Sequence, residues 1–222
     1  EIAKLRPEAT FNGSIKNCDT GTIGMKHHAQ TLKRIQFYRR IYGLPDAVYM
    51  DSTQNTNNQA AALMMAAEGK LDHHPDTRWC CYSQDGDNGA SSSNLHLGSS
   101  GSEAIDGYIS DRGRDNYSAG HRMWIFSIGD TLKVNSGDIP NRANALSAYA
   151  YNDLKNLYSY SPLCWPPAGP IQEDFVSKYS PWSFCLDGAD FSNAQVYLVD
   201  GNKKQSVEIK FKGEIRYGFN DY

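Results

Sequence analysis

Apolar residues recur every three to four positions through the first half of the chain, and this period predicts helices. Leu32, Ile35, Tyr38 and Tyr42 make one stripe over residues 27–42. Lys33, Arg34, Arg39 and Arg40 fall elsewhere on the circumference, and Gly43 supplies a stop. Ser52 can cap a second helix that runs to about Glu68 and ends at Gly69. Its later half, AAALMMAA, is apolar on nearly every face, which predicts burial on most sides. A third helix starts near Ser102 and carries Ala104, Ile105, Tyr108 and Ile109.

Between and beyond these helices the pattern changes. Residues 71–98 are rich in Gly, Ser, Asn and Asp and read as a long irregular loop, a kind of segment that is either functional or pinned. The stretch DRGRDNYSAG reads as a further loop. Residues 121–128 and 145–151 alternate well enough to predict strands. Past Leu163, WPPAGP breaks regular structure. Residues 195–199 and 206–211 then predict two strands joined through Asp200-Gly201-Asn202. The expected organisation is an extended arm over 1–25, a main domain over 26–162 and a β-rich extension over 163–222.

Composition narrows the function classes. Hydrophobic residues make up 40% of the 222 positions, enough for a sizeable core. A net charge of −3 offers no footprint for a phosphate backbone, so no nucleic-acid partner is expected. No apolar run is long enough to span a bilayer. The chain starts at Glu1, as it would after removal of an export signal or after any other upstream cut. Its five cysteines lack zinc-ribbon spacing, and an odd count leaves at least one unpaired within the chain. Cys164 and Cys185 flank the Pro/Trp-rich segment and are the preferred disulfide pair. Adjacent Cys80 and Cys81 are expected to take different partners, because a vicinal bridge strains the backbone. Asn12 and Asn116 each open a glycosylation sequon, which leans towards export.

Four stretches, in order, resemble CAP domains of the bacterial type (cysteine-rich secretory protein, antigen 5, pathogenesis-related 1). They are LKRIQFYRRIYGLP, then AAALMMAAEGKLDHHP with WCCY, then SSSNLHLG with EAIDGYISDRG, then GHRMWIF. Together they cover about residues 32–128, and WPPAGP with PWSFCLDGADFSNAQVYLV resembles the segment that follows the core in some bacterial members. The resemblance implies an α+β fold: an α-β-α sandwich with a central antiparallel sheet, plus a small C-terminal β appendage. It also implies a secreted or cell-surface protein with a cleft holding two histidines and two acids. His73 and His121 match the histidines, with a one-residue slip from His73 to His74 left open. The acid positions fall on Ser93 and Ser110. Asp111 is adjacent to Ser110, but one residue turns a helix by roughly 100°.

These residues suggest three functions. The first is a binding module whose cleft holds Zn²⁺ or another divalent ion, exchangeably, because two imidazoles fall short of the three or four ligands of integral sites. Its partner would be a protein or a small lipid or glycan. The second is a metal-dependent or serine-type hydrolase using the same cleft, with Ser93 paired to His73 or His121, Asp111 orienting and Ser110 as a further candidate, which needs a base within hydrogen-bond reach. The third is a subunit of an extracellular assembly, joined through the arm, the odd cysteine or a strand edge. Bland alternatives stand beside them. His121 fits a core-edge histidine, His27 and His28 fit solvated positions, and the four tryptophans fit packing.

Overall fold

In the computed structural model, which describes residues 10–51, 55–151, 162–176, 179–186 and 189–210, the chain folds as an α+β protein. Helix α1 (Met25–Tyr42) follows its predicted stripe, and Gly43 ends it in the left-handed region, donating its N–H to the carbonyls of Arg39 and Arg40. After strand β1 (Ala47–Met50) comes α2 (Asn55–Glu68), in which every residue from Asn58 to Ala66 is buried. The proposed Ser52 cap lies outside the described residues. Gly69 closes α2 through a bond to the Met65 carbonyl.

The 71–98 segment is not one irregular loop. It contains α3 (Gln84–Ser91) and strand β2 (Asn94–Leu97). Ser83 caps α3 by accepting from the Gly86 N–H at 3.0 Å, and Asp85 and Asp87 sit in its first turn, where the helix dipole favours them. Glycine disguises the helix in sequence, yet Gly89 is needed there. A Cβ on it would stand 2.2 Å from the Asn57 carbonyl oxygen of α2. Then follow α4 (Gly101–Ser110), α5 (Gly120–Ile125), and the long strands β3 (Thr131–Ile139) and β4 (Ala143–Tyr151).

The main sheet has the order β1-β3-β4-β2. Its β3–β4 and β4–β2 pairs are antiparallel, but β1 runs parallel to β3, so the sheet is mixed where a wholly antiparallel one was expected. Side chains alternate across it. Leu132, Val134, Leu146, Ala148 and Ala150 pack with α1, α4 and α5, whereas Ile139, Ala143 and Ala145 pack with α2 and α3. Three layers result, with an apolar cluster on each side of the sheet. Gly137 brings α2 down onto β3, because a Cβ there would lie 2.0 Å from the Asn58 backbone.

Several polar residues inside this sandwich are hydrogen-bonded rather than excluded. The Asn58 amide group is shared among Ser93 Oγ, Asn135 O, Ala145 O and Ser147 Oγ. Asp138 accepts from Gly101 N at 2.6 Å, Asn144 Nδ2 at 2.8 Å and Ser136 Oγ at 2.8 Å. Burial alone would raise its pKa, but His27, Gly101 and Ser136 outweigh that and hold the carboxyl below its ordinary range. His27, expected in solvent, is buried with Nε2 3.4 Å from Asp138 Oδ1. Arg39, also expected outside, is fully buried and donates to the carbonyls of Pro45, Ile125, Ser127 and Gly129.

The N-terminal arm is not extended over its described part. It doubles back through bridges Phe11↔Ile23 and Ser14↔Asp19, and Cys18–Cys81 ties it to the loop after α2. This bridge replaces the expected Cys164–Cys185 pair, and Cys80, Cys164 and Cys185 are thiols. The register explains the difference. Strands β5 (Leu163–Trp165) and β6 (Ser183–Cys185) place Cys185 opposite Leu163 and Cys164 opposite Phe184, so the two thiols face opposite sides of the ribbon.

The extension is joined to the main domain by that ribbon, since Leu163 and Trp165 belong to the α1/α4/α5 cluster. Strands β7 (Val196–Asp200) and β8 (Lys203–Val207) form a hairpin around Gly201 and Asn202, as expected, but β8 starts three residues before the expected 206–211 strand. Val196, Tyr197, Leu198 and Val199 are all exposed. Among the described residues, no helix is long and apolar enough to cross a membrane.

Candidate functional site

A cleft of about 570 Å³ opens where the loop before α3, the end of α3, the 115–118 loop and the start of α5 meet over the sheet, with Leu146, Ala148 and Tyr149 lining its β4 side. His73 and His121 both line it. They come from elements 48 residues apart, brought together because α3 packs on α2 and α5 packs beside α4. His74 lines it as well, so the one-residue alternative stays inside the same cavity.

Each imidazole is held by its inner nitrogen. His73 Nδ1 lies 2.8 Å from the Ala90 carbonyl, and His121 Nδ1 lies 2.8 Å from Asp111 Oδ1. A carbonyl and an ionised carboxylate only accept, so both Nδ1 atoms carry the proton and the lone pair of each neutral ring sits on Nε2. Metal-binding histidines have this arrangement, in which the second nitrogen donates to a fixed acceptor and sets the tautomer. Tyr108 stacks on His121 with centroids 5.8 Å apart and planes 22° apart, and Asn94 Nδ2 donates to the His121 carbonyl at 3.0 Å. Burial, then the charge of Asp138, raises the Tyr108 pKa well above its ordinary value, so its hydroxyl stays a donor within the Asn94–Asn144 pair.

The predicted strand over 121–128 is instead α5 followed by a turn. Ala119 enters it in the left-handed region, Ser127 Oγ donates back to the Met123 and Trp124 carbonyls, and Arg39 binds the carbonyls of Ile125 and Ser127. Terminal carbonyls satisfied by a buried arginine let a short helix persist inside the fold. Its residue Arg122 is buried beside the cleft. The backbone N–H bonds Asp111 Oδ2 at 3.2 Å, and the guanidinium reaches Ile109 O at 2.7 Å, Ser180 Oγ at 2.9 Å and Ser183 Oγ at 3.0 Å. It also lies 5.5 Å from the centre of the Trp165 ring. Burial brings its pKa down to about 10 against the pull of Asp111, so it remains charged at neutral pH.

The remaining candidates separate. Asp111 is fully buried at the end of α4, behind His121 instead of in the cavity, and acts as the support of that ring. Ser93 lines the cleft but is buried, with Oγ taken up by Asn58. Ser110 turns away and accepts from Arg112 Nε. Among the described residues no serine hydroxyl bonds either imidazole, and no group of three or more His, Cys, Asp or Glu converges. His96 packs on α4 against Tyr108, and burial, then the charge of His121, lowers its pKa. Asn12 is exposed and accepts from Thr22, and Asn116 lines the cleft with Nδ2 bonded to the Arg112 carbonyl. Sequence reading missed Arg122 and Tyr108, whose importance rests on partners from distant segments.

Imidazole nitrogen with an outer acceptor in place is a ligand type that Zn²⁺ takes, and two such rings fall short of the three or four protein ligands of integral sites. Serine hydrolysis would need a hydroxyl within hydrogen-bond reach of one of these imidazoles, together with oxyanion donors. Comparison with family models, with curated proteins and with solved structures returns no match.

Proposed function

We propose that this chain is an exported binding module of CAP type, in which Nε2 of His73 and Nε2 of His121 hold an exchangeable divalent cation, zinc by ligand type, at the floor of a ligand cleft. One observation carries the reading: two imidazoles from distant segments line one cavity, and each has its Nδ1 proton committed to a fixed acceptor. When bound, the ion would supply open positions for a donor of a protein, lipid or glycan partner. The chain's own contribution is to fix both rings and their tautomers. The ordered motifs and the α-β-α layering support the family assignment. Export is supported by Cys18–Cys81, a bond type that persists in oxidising compartments.

Calorimetric titration of chelator-treated protein with zinc chloride tests it. One site per chain is expected, weakened at least about tenfold by His73→Ala and by His121→Ala. Unchanged affinity in the double variant removes the proposal.

A second reading, a subunit of an extracellular assembly, is favoured by the β7–β8 hairpin. Its apolar residues Val196 to Val199 are exposed, and among the described residues β7 and β8 pair only with each other, leaving their outer edges without a described partner strand. Self-association seen by light scattering, and lost on Val199→Lys, would favour it over the isolated module.

A further inference from the structure

We infer that the C-terminal extension is a positioning element for the cleft: through Arg122 it locks Asp111 against His121 and so sets which nitrogen of that ring is offered. The inference concerns the site proposed above and rests on that reading only for its affinity measurement.

The guanidinium of Arg122 is divided between two bodies. Towards the main domain it donates to Ile109 O at 2.7 Å and lies 3.5 Å from Ser110 O. These belong to the last turn of α4, whose carbonyls have no partner within the helix, so Arg122 caps it. Towards the extension it donates to Ser180 Oγ and Ser183 Oγ and rests near Trp165, which is itself buried among Tyr38, Tyr42 and Phe126. Asp111 is the next residue after that capped turn and stands in the left-handed region, φ 48°. Both of its oxygens are then used, one by His121 Nδ1 and the other by the Arg122 N–H.

The geometry is a short lever. One residue, Arg122, touches the extension with its side chain and the carboxylate of Asp111 behind His121 with its backbone, and it is the immediate neighbour of His121. A buried guanidinium requires most of its donors paired. Without the two serine hydroxyls it would have to recruit water or turn outward. Either movement releases the Ile109 carbonyl, loosens the turn that carries Asp111, and frees His121 to adopt the other tautomer. His73 has no part in this lever, because its support is the Ala90 carbonyl on α3. It therefore serves as an internal control within the same molecule.

The experiment is long-range ¹H–¹⁵N spectroscopy of the imidazoles in metal-free full chain, on wild type, Ser180→Ala/Ser183→Ala and Ser183→Thr. In wild type both Nε2 atoms should give the unprotonated signature. In the double alanine variant His121 should show a mixed population while His73 keeps its wild-type signature, and zinc affinity should fall by about tenfold, the scale of lost outer support. Ser183→Thr, which keeps a hydroxyl, should retain the wild-type tautomer. An unaltered His121 signature in the double variant overturns the inference, and so does an equal change at His73, which would report general loosening. Absence of zinc binding in wild type would defeat the proposed function and leave the tautomer result to decide this inference on its own.

Discussion

The two cleft histidines reach the same cavity from supports of different kinds. His73 is exposed, sits in a loop, and is held by one main-chain carbonyl. His121 is half-buried, backed by a fully buried carboxylate, stacked on Tyr108 and followed by an arginine that contacts both α4 and the 180–183 segment. One ring is placed by covalent and backbone restraint close in sequence, the other by a polar network that spans the fold. Loop strain should disturb the first, and loss of buried charge partners the second.

That contrast can be broken most forcefully at Arg122. Arg122→Ala removes the donors to Ile109, Ser180 and Ser183 and leaves Asp111 buried with less counter-charge. Such a change costs about 3–5 kcal/mol, to be read from urea denaturation. A cost under about 1 kcal/mol would mean that the His121 side is not held by this network. On the His73 side the corresponding restraint is the disulfide. Cys18 and Cys81 lie 63 residues apart, and opening a loop of that length by Cys18→Ser/Cys81→Ser should cost about 2–4 kcal/mol. Hydrogen exchange should then quicken over 71–83 and stay slow in α4 and α5. Uniform acceleration would erase the distinction between the two sides.

The smallest expected effect comes from acid. His96, packed on the His121 side, has a pKa lowered by burial and then by His121, so the unfolded chain takes up a proton first as pH falls below the ordinary value of 6.5. The lost stability grows until the folded pKa is reached. Asp138 adds a second, lower window. Its folded pKa is depressed, so its contribution is present above about 3.8 and disappears as pH falls through the folded value. Thermal unfolding followed from pH 7 to 3 should show both declines, and His96→Gln should shrink only the upper one, to which His28, its pKa also lowered by burial, contributes the rest. A profile flat from pH 7 to 5 would contradict the burial of His96.

Sequence reading located what depends on local rules. The stripe of α1, the stops at Gly43 and Gly69 and the apolar run of α2 are visible because one element's own residues specify them. The pairing of His73 with His121 in one cavity was legible only through the ordered motifs. What escaped depends on partners far along the chain. Strand β3 carries Asn135, Ser136 and Asp138, which argue against a buried strand until Asn55, Asn58 and Gln59 are seen to bond it from α2. Arg39 reads as a solvated charge, and Arg122 carries no signal of its own, until the carbonyls that receive them are known. Alternation over 121–128 suggested a strand, but the capping of its last carbonyls by Arg39 lets a helix win.

Gly137 has a consequence for any attempt to remodel this cleft. With no side chain between sheet and helix there, α2 has no spacer that could be traded for another. Any larger residue must lift the helix, and the lift would be felt by Asn58, whose amide fastens Ser93 at the cavity wall to both long strands. Libraries that vary the pocket's rim should therefore tolerate much, while a single methyl group added on the far side of the sheet should reshape the floor from below.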